Sequence, residues 1–435
     1  MQTDVAYSGE KPVAAMPHVP PNSHPIIRKN RRLRLAFLPF GVFLVLWLIL
    51  FYSSGAITRG PDGRALGSDF AMYWGATHVL EQDGNPFDPG QLYRTEQSLL
   101  QQEHLPIMQT PALVRVGNPP LFYGLMQPLA ALPFKYAAIL WMAAMYALVA
   151  AGFLALLRYF RWQARLVPLV AFLAMPQVAL GVFYGNVIGL VFASLCYSLL
   201  LAREHPMWAG ALATIACLKP QVALPAVLLI GLFTSLYRRR FFTGFAVALG
   251  ILAALTVITT GVHGTALWLQ ALDRYSGDIA IQPNLSSLAG IYVREASSHI
   301  RLALETLTIA PATGLTIYIW FRARHRPSFP YAMFAILWLV WFLATPYAHF
   351  PDEILLTIPI LISLGSNAGC ACPPHGLLAL YFAALSLLLF SWVPHNVQLL
   401  WLPLTVILAG QVIDTMRADV PAFVRSPRLI SRGEG

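Results

Sequence analysis

"RKNRRLR" at residues 28–34, followed at once by "LAFLPFGVFLVLWLILFY" at 35–52, decides the class of this chain. An apolar run of this length, at about 1.5 Å per helical residue, reaches across the hydrocarbon core of a bilayer. It has no small-residue cleavage site and exceeds the apolar core of a signal peptide, so it reads as a retained first span. The basic cluster before it places the N-terminus in the cytoplasm. Residues 1–27 are rich in Pro and polar residues without periodicity, and with the cluster they form a disordered cytoplasmic tail over 1–34.

The composition agrees with that reading. Of the 435 residues 57% are hydrophobic and 11% charged, and the mean hydropathy is +0.62. One polytopic membrane domain over 35–413, with a short cytoplasmic tail at 414–435, fits better than two or three soluble domains. The net charge of +10 sits in short basic clusters beside apolar runs, where it meets lipid headgroups and sets topology; nucleic acid is not an expected partner. Cys196 and Cys217 lie inside apolar runs and Cys370 and Cys372 form a lone C-x-C, which supports neither a disulfide framework nor a zinc site.

After the first span, apolar segments fall near 135–157, 166–183, 186–202, 207–218, 220–235, 241–261, 301–321, 331–346, 353–366, 376–392 and 396–413. The fold class expected is an all-α polytopic bundle of about twelve transmembrane helices. The segments around Lys219 and the one at 353 are short, which allows a broken or re-entrant helix. Alternation from a cytoplasmic N-terminus puts the basic connectors "RYFRWQAR", "AREHP", "YRRRF" and "RARHRP" in the cytoplasm. It puts the loop 56–134, the connector 262–300 and "PYAHFPDE" (346–353) on the outer face. "NPPLFYGLMQPLAALPF" (118–134) is then a dipping or interfacial segment rather than a span.

The outer loop holds an unusual concentration of acids in "GSDFAMYWGATHVLEQDGNPFDPGQLY" (67–93). Ser68, Asp69 and the aromatics after them read as a capped helix lying at the membrane interface, a lid or vestibule over a lipid-facing site. "GNPFDPG" ends it with turn chemistry, and "QLYRTEQSLLQQEH" follows as a second short helix. Asp69 is either a helix cap or a carboxylate placed to accept a proton from a sugar hydroxyl. Asp88 reads as a turn residue.

Five blocks carry a resemblance in the same order as they occur in one family. They are "SDFAMYWGATHVLEQDGNPFDPGQLY", "GNPPLFYGLMQPLAALPFKYAAILW", "YGNVIGLVFASLCYSLLLA", "AGALATIACLKPQVALPAVLLIGL" followed by "RRRF", and "TPYAHFPDEILLTIPIL". Over roughly residues 35–410 the chain resembles glycosyltransferase family 87, membrane enzymes of GT-C fold that include polyprenyl-phosphate-mannose-dependent α-mannosyltransferases. The resemblance implies a multi-pass enzyme of the cell membrane that moves a hexose, mannose being the family's best-known cargo. The sugar passes from a polyprenyl phosphate to a glycolipid or glycan acceptor of the envelope, on the extracytoplasmic face and with inversion. It implies Asp69 as the general base that activates the acceptor hydroxyl. The family's Pro and His at a helix mouth correspond to "TPYAHF", with His349 standing further from the Pro than the pattern expects.

A polyprenyl-phosphate donor leaves as a phosphomonoester, so negative charge grows on a phosphate oxygen and a cation or donor must meet it. Lys219 in "CLKPQ" is the first candidate, because a lysine between apolar segments is costly unless it has a partner, and Pro220 opens the helix beside it. The alternative is a lysine snorkelling to the headgroups. His349 is a second donor to the phosphate, and Asp352 either orients it or caps the next helix. Asn186 in "FYGNVIG" lies at a Gly-bounded mouth between spans, as a ligand contact or a helix cap. Arg274 and Arg294 flank the outer "IQPNLSSLAGIYV", where they meet a phosphate or stay solvated. Tyr73, Trp74 and Tyr347 are either sugar-stacking groups or members of an aromatic belt.

No P-loop, G-x-G-x-x-G, D-x-D or zinc motif is present. No metal and no cofactor are therefore expected, the lipid-linked sugar being a substrate. Two other readings share the span count: a transporter or flippase of a lipid-linked sugar, and a noncatalytic assembly subunit. A transporter wants polar residues near the midplane from both halves, whereas the candidates here cluster toward one face, and no internal repeat is evident.

Overall fold

The structure, a computed structural model, describes residues 66–105, 114–159, 166–233, 237–279, 298–323, 331–345 and 347–366. The runs expected as spans at 35–52, 376–392 and 396–413, both tails, Arg294 and the C-x-C pair lie outside the described residues. Among the described residues the regular structure is helical throughout, as the hydropathy pattern requires.

The outer loop builds a small helical subassembly. Helix α1 (Ser68–Glu81) and helix α2 (Pro89–Gln102) are joined by a rigid turn. In that turn the Asp88 carboxylate accepts from the backbone N–H groups of Gly90 (2.8 Å) and Gln91 (3.3 Å), so Asp88 is the cap of α2 and Pro89 its first residue, a favourable pairing. Helix α3 (Pro120–Ala130) follows, 11 residues long, which at about 16 Å is too short to cross a bilayer. The 118–134 stretch thus holds no full span.

Helix α4 (Phe134–Tyr159, 26 residues) is long and apolar enough to cross. Its first N–H, from Phe134, donates to Glu103 Oε1 at 2.7 Å, and Arg158 stands in its last turn, where the helix dipole favours a cation. Tyr136, Ile139 and Leu140 point outward from it, fully consistent with a lipid-facing side.

The segment expected as one span at 166–183 is two short helices, α5 (Leu166–Leu173) and α6 (Pro176–Phe183). Pro176 lacks the N–H that would continue the ladder and drives Met175 into an extended conformation, so a uniformly apolar run is nonetheless broken. Helix α7 (Ile188–Leu201) packs against α4. Gly152 and Gly189 let the two backbones approach, a Cβ on Gly189 coming within 2.8 Å of the Met145 carbonyl oxygen.

Helix α8 (Pro206–Ala213) tightens into a 3₁₀ turn (Thr214–Leu218), and helix α9 (Pro220–Phe233) restarts after Lys219, whose φ of −130° and ψ of 73° are not helical. The break expected at Lys219 is therefore present. Helix α10 (Arg238–Ile279) packs along α8. At that crossing a Cβ on Gly210 would fall on the Phe241 carbonyl oxygen, and one on Gly244 on the Met207 carbonyl oxygen. Gly210→Ala is accordingly expected to separate α8 from α10 and to lower the thermal midpoint of the detergent-purified protein by several degrees, an overpacking effect of about 1–3 kcal/mol.

The sequence reading ended this span at Gly261 and made 262–300 a connector. Instead the helix kinks at Gly261 (φ 70°, ψ 173°) and continues to Ile279. The continuation has its own apolar face, because Leu267, Trp268 and Ala271 pack into the core around α1 and α3, and Trp268 Nε1 donates to the Gly117 carbonyl at 3.0 Å.

Helix α11 (Ser298–Ala323) and helix α12 (Tyr331–Ala344) complete the apolar set. Trp341 Nε1 donates to Thr316 Oγ1 at 2.9 Å between them. A second 3₁₀ segment (Phe350–Leu356) then leads into helix α13 (Thr357–Ser366). Three helical stretches among the described residues are long and apolar enough to cross a membrane: Phe134–Tyr159, Arg238–Arg274 and Leu302–Phe321. The expected count of about twelve is not established by them. Val247, Ile251, Ile258, Leu302, Leu307 and Phe321 project from the last two as an exposed apolar shell, which suits hydrocarbon and not water.

Candidate active site

The candidate site begins where α1 meets α6 end to end. Gly67, with φ 73°, is the N-cap of α1 and offers no side-chain cap. The free N–H groups of the first turn are met by carbonyls that α6 leaves over at its own end: Gly67 N–H donates to Phe183 O (2.8 Å) and Asp69 N–H to Tyr184 O (2.7 Å). Ser68 and Asp69 are inside the helix, and neither is its cap, a correction to the sequence reading. The interfacial, lid-like character expected of α1 is also corrected. Tyr73 and Trp74 are buried against Phe122, Trp141 and Phe134, and nearly every side of the helix is covered. They support the helix and present no open face for a sugar.

Asp69 is buried, and one carboxylate oxygen, Oδ2, accepts from Asn186 Nδ2 at 2.7 Å. Asn186 is held for this contact: its Oδ1 accepts from the Ile188 N–H at 3.0 Å, an Asx turn that leaves the amide nitrogen pointing at Asp69. The sequence offered a ligand contact or a helix cap for Asn186, and its two ends serve both the α7 start and the carboxylate. Gly185 (φ 76°) makes the turn possible, and its carbonyl accepts from Trp141 Nε1 at 2.7 Å. A Cβ there would stand 2.5 Å from Phe70 Cβ. Gly185→Ala is expected to be destabilised by about 1–3 kcal/mol, from both left-handed backbone and contact, and to lose activity through displacement of Asn186; thermal unfolding and a transfer assay check the two effects.

A second polar group lies across α6. Lys219 Nζ binds Asp352 Oδ1 at 2.5 Å, with the Asp352 side chain fully buried. Asp352 Oδ2 accepts from the His349 backbone N–H at 3.0 Å, and the Asp352 N–H donates back to the His349 carbonyl at 2.8 Å. Asp352 thus caps the 3₁₀ segment and also neutralises the lysine. Lys219 has a partner within the protein and is not snorkelling to headgroups, and its ammonium carries three donors, of which this ion pair uses one. His349 is buried at the head of the same segment.

The two groups are joined. Phe350, next to His349, packs with Leu180, Phe183 and Tyr184, and the carbonyls of the last two receive α1. Glu353 Oε2 accepts from Gln177 Nε2 at 3.1 Å, fastening the 3₁₀ segment to α6 from inside the core. On the other side Asn118 Nδ2 donates to the Leu218 carbonyl at 3.3 Å, next to Lys219, while Arg115 N–H contacts Met72 Sδ at 3.3 Å, one turn from Asp69. The five sequence candidates thus form two buried polar groups, Asp69 with Asn186 and Lys219 with Asp352 and His349, connected through α6 and the packing of Phe350. Gln177, Glu353, Asn118 and Arg115 were not foreseen. Gln177 could have been noticed as a lone polar residue after Pro176 in an apolar run.

Tyr347 donates to Glu305 Oε1 at 2.6 Å and so ties α11 to the mouth of the site. Among the described residues no group of three or more His, Cys, Asp or Glu is placed to hold a metal ion.

A helical body with a lipid-facing shell and a buried carboxylate, lysine and histidine at its centre is the build of a membrane protein that handles a polar or charged group within its core. The glycosyltransferase family 87 model matches residues 117–346, more than half of the chain, and the protein belongs to that family. Asn186 and Lys219 lie inside the match; Asp69, His349 and Asp352 lie outside it. Comparison with curated proteins and with solved structures finds no match. The protein is a membrane glycosyltransferase.

Proposed function

We propose that this protein transfers a hexose, mannose in the reading we favour, from a polyprenyl-phosphate donor to a glycolipid or glycan acceptor of the envelope. Transfer takes place at the extracytoplasmic face of the cell membrane and inverts the anomeric centre. The observation that carries this reading is the Asp69 carboxylate, buried and oriented by Asn186 at 2.7 Å, in one packed unit with the Lys219, Asp352 and His349 group.

In the proposed step the acceptor hydroxyl gives its proton to Asp69 as its oxygen forms a bond to the anomeric carbon. The bond from that carbon to the phosphate oxygen breaks, and the phosphate keeps the electron pair. Lys219 and His349 meet the growing charge on the leaving phosphate, an interaction worth most in a site that excludes water. Asp352 holds Lys219 in place and keeps the buried ammonium paired before the donor arrives. Asn186 fixes the orientation of the Asp69 carboxylate through Oδ2. The scheme calls for no metal and no cofactor.

The test uses the full chain purified into lipid, radiolabelled polyprenyl-phosphate mannose and a membrane-lipid extract. Label is expected in a new glycolipid. Label that stays on the donor while donor crosses from one leaflet to the other would favour the flippase reading and overturn this one.

A further inference from the structure

The end of the bundle away from the candidate site is cationic. Helices α4 and α7 run parallel, with Gly189 against Met145 and Gly152 against Ala193 and Cys196. Both start at the Asp69–Asn186 contact, Phe134 lying against Gly67 and the Ile188 N–H bonding Asn186, and both finish at the far end. Met207 at the start of α8 meets Gly244 of α10, and Gly231 near the end of α9 meets Phe241 and Phe242, so the first turns of α10 belong to that far end too. Arg158, Arg203, Arg238, Arg239 and Arg240 are gathered there, and among the described residues Glu204 is the one acid beside them. Tyr159, Trp208, Tyr237 and Phe321 are exposed at the same end, the pattern of an aromatic belt at headgroup depth.

Arg238 is held between helices. Its Nε donates to the Leu232 carbonyl at 2.8 Å, and its guanidinium carbon stands 5.8 Å from the centre of the Trp320 ring on α11. These contacts use Nε and one face of the group. The four N–H donors on the two terminal nitrogens bond no other described residue. Leu232 also ends an apolar track. Leu224, Leu228 and Leu232 follow at four-residue spacing along one side of α9, and the first two are 47% and 39% exposed.

We propose that Arg238 and this track bind an anionic glycerophospholipid of the surrounding membrane. The guanidinium takes the phosphodiester, and Leu232, Leu228 and Leu224 take an acyl chain. The site lies at the opposite end of the bundle from the transfer chemistry and does not depend on it.

Two free guanidinium nitrogens match two phosphate oxygens at once, which a lysine ammonium cannot do. Every glycerophospholipid carries that phosphate, so the neighbours select the headgroup. Arg203, Arg239 and Arg240 repel a headgroup that ends in an ammonium and attract one that stays net negative. The bound lipid meets α10 through Arg238 where α10 is fastened to α9 and α11, and so braces the junction of three helices.

The test titrates the full chain in neutral detergent by calorimetry with dioctanoyl phosphatidylglycerol, dioctanoyl phosphatidylcholine and inorganic phosphate. Wild type is compared with Arg238→Gln, Arg239→Gln and Leu228→Gln. Phosphatidylglycerol is expected to bind wild type saturably, and Arg238→Gln about tenfold more weakly, the loss of a charge-assisted pair. Arg239→Gln removes the same charge one residue away and is expected to stay within about twofold of wild type. Leu228→Gln is expected to weaken binding about fourfold, as for one methylene left in water.

Equal losses at Arg238 and Arg239 would overturn the inference and leave a diffuse attraction to the basic end. So would phosphatidylcholine binding as tightly as phosphatidylglycerol, or displacement by inorganic phosphate at equal concentration, which would make this a free-anion site. Leu228 is exposed, so its variant keeps the test decisive if Arg238→Gln disturbs the α9–α10 junction. Unchanged phosphatidylglycerol affinity in Leu228→Gln would remove the track and with it the lipid.

Discussion

Asp69→Asn is expected to lower the turnover number for sugar transfer by about 10²–10⁴-fold, the range a general base contributes, while donor affinity and thermal midpoint stay close to wild type. The substitution keeps the shape, and the remaining carbonyl oxygen can still accept from Asn186 Nδ2, so the 2.7 Å contact that orients the group survives. What is lost is the capacity to take a proton from the acceptor. Single-turnover transfer with donor in excess separates this loss from a binding defect. A variant with unchanged turnover would remove Asp69 from the chemistry and leave it a structural residue at the junction of α1 and α6.

The largest effect on stability is expected at Lys219 and Asp352. Lys219→Met alone leaves a fully buried carboxylate without its cation, and Asp352→Leu alone strands the ammonium. Breaking a buried pair from one side costs about 3–5 kcal/mol. The double variant Lys219→Met/Asp352→Leu replaces both charges by apolar groups of similar length and is expected to recover most of that loss. It should nevertheless fail to bind polyprenyl phosphate, because the cation that meets the phosphate is gone. Denaturation in detergent and donor binding on the same four proteins check both halves. Recovery of stability together with donor binding would make the pair a purely structural brace.

Much of this was legible in the sequence where a local rule applies. A Lys beside a Pro between apolar runs marks a helix break and an expensive charge, and both are present at Lys219. Asp88 between two prolines marks a turn and caps α2. "FYGNVIG" marks a turn that needs Gly, and Gly185 sits there with positive φ. What escaped is non-local or without period. The Asn186 to Asp69 contact joins residues 117 apart in sequence, and no periodicity encodes it.

The burial of α1 escaped because Tyr73 and Trp74 are equally at home in an interfacial belt and a packed core. The break at Met175 escaped because an almost wholly apolar run shows no polar face for a period to reveal. The helix beyond Gly261 escaped because its apolar face, carried by Leu267, Trp268 and Ala271, follows a glycine that reads as an end. Arg115 gave no signal at all, since a single arginine in an irregular strip has meaning only through what the fold sets beside it.

The most direct test of a single displacement driven by Asp69 is the anomeric configuration of the sugar in the first product, read by NMR from the one-bond carbon–hydrogen coupling at the anomeric centre. Inversion relative to the donor is the predicted result. Retention would require a second displacement through a covalent intermediate and would contradict the role given to Asp69.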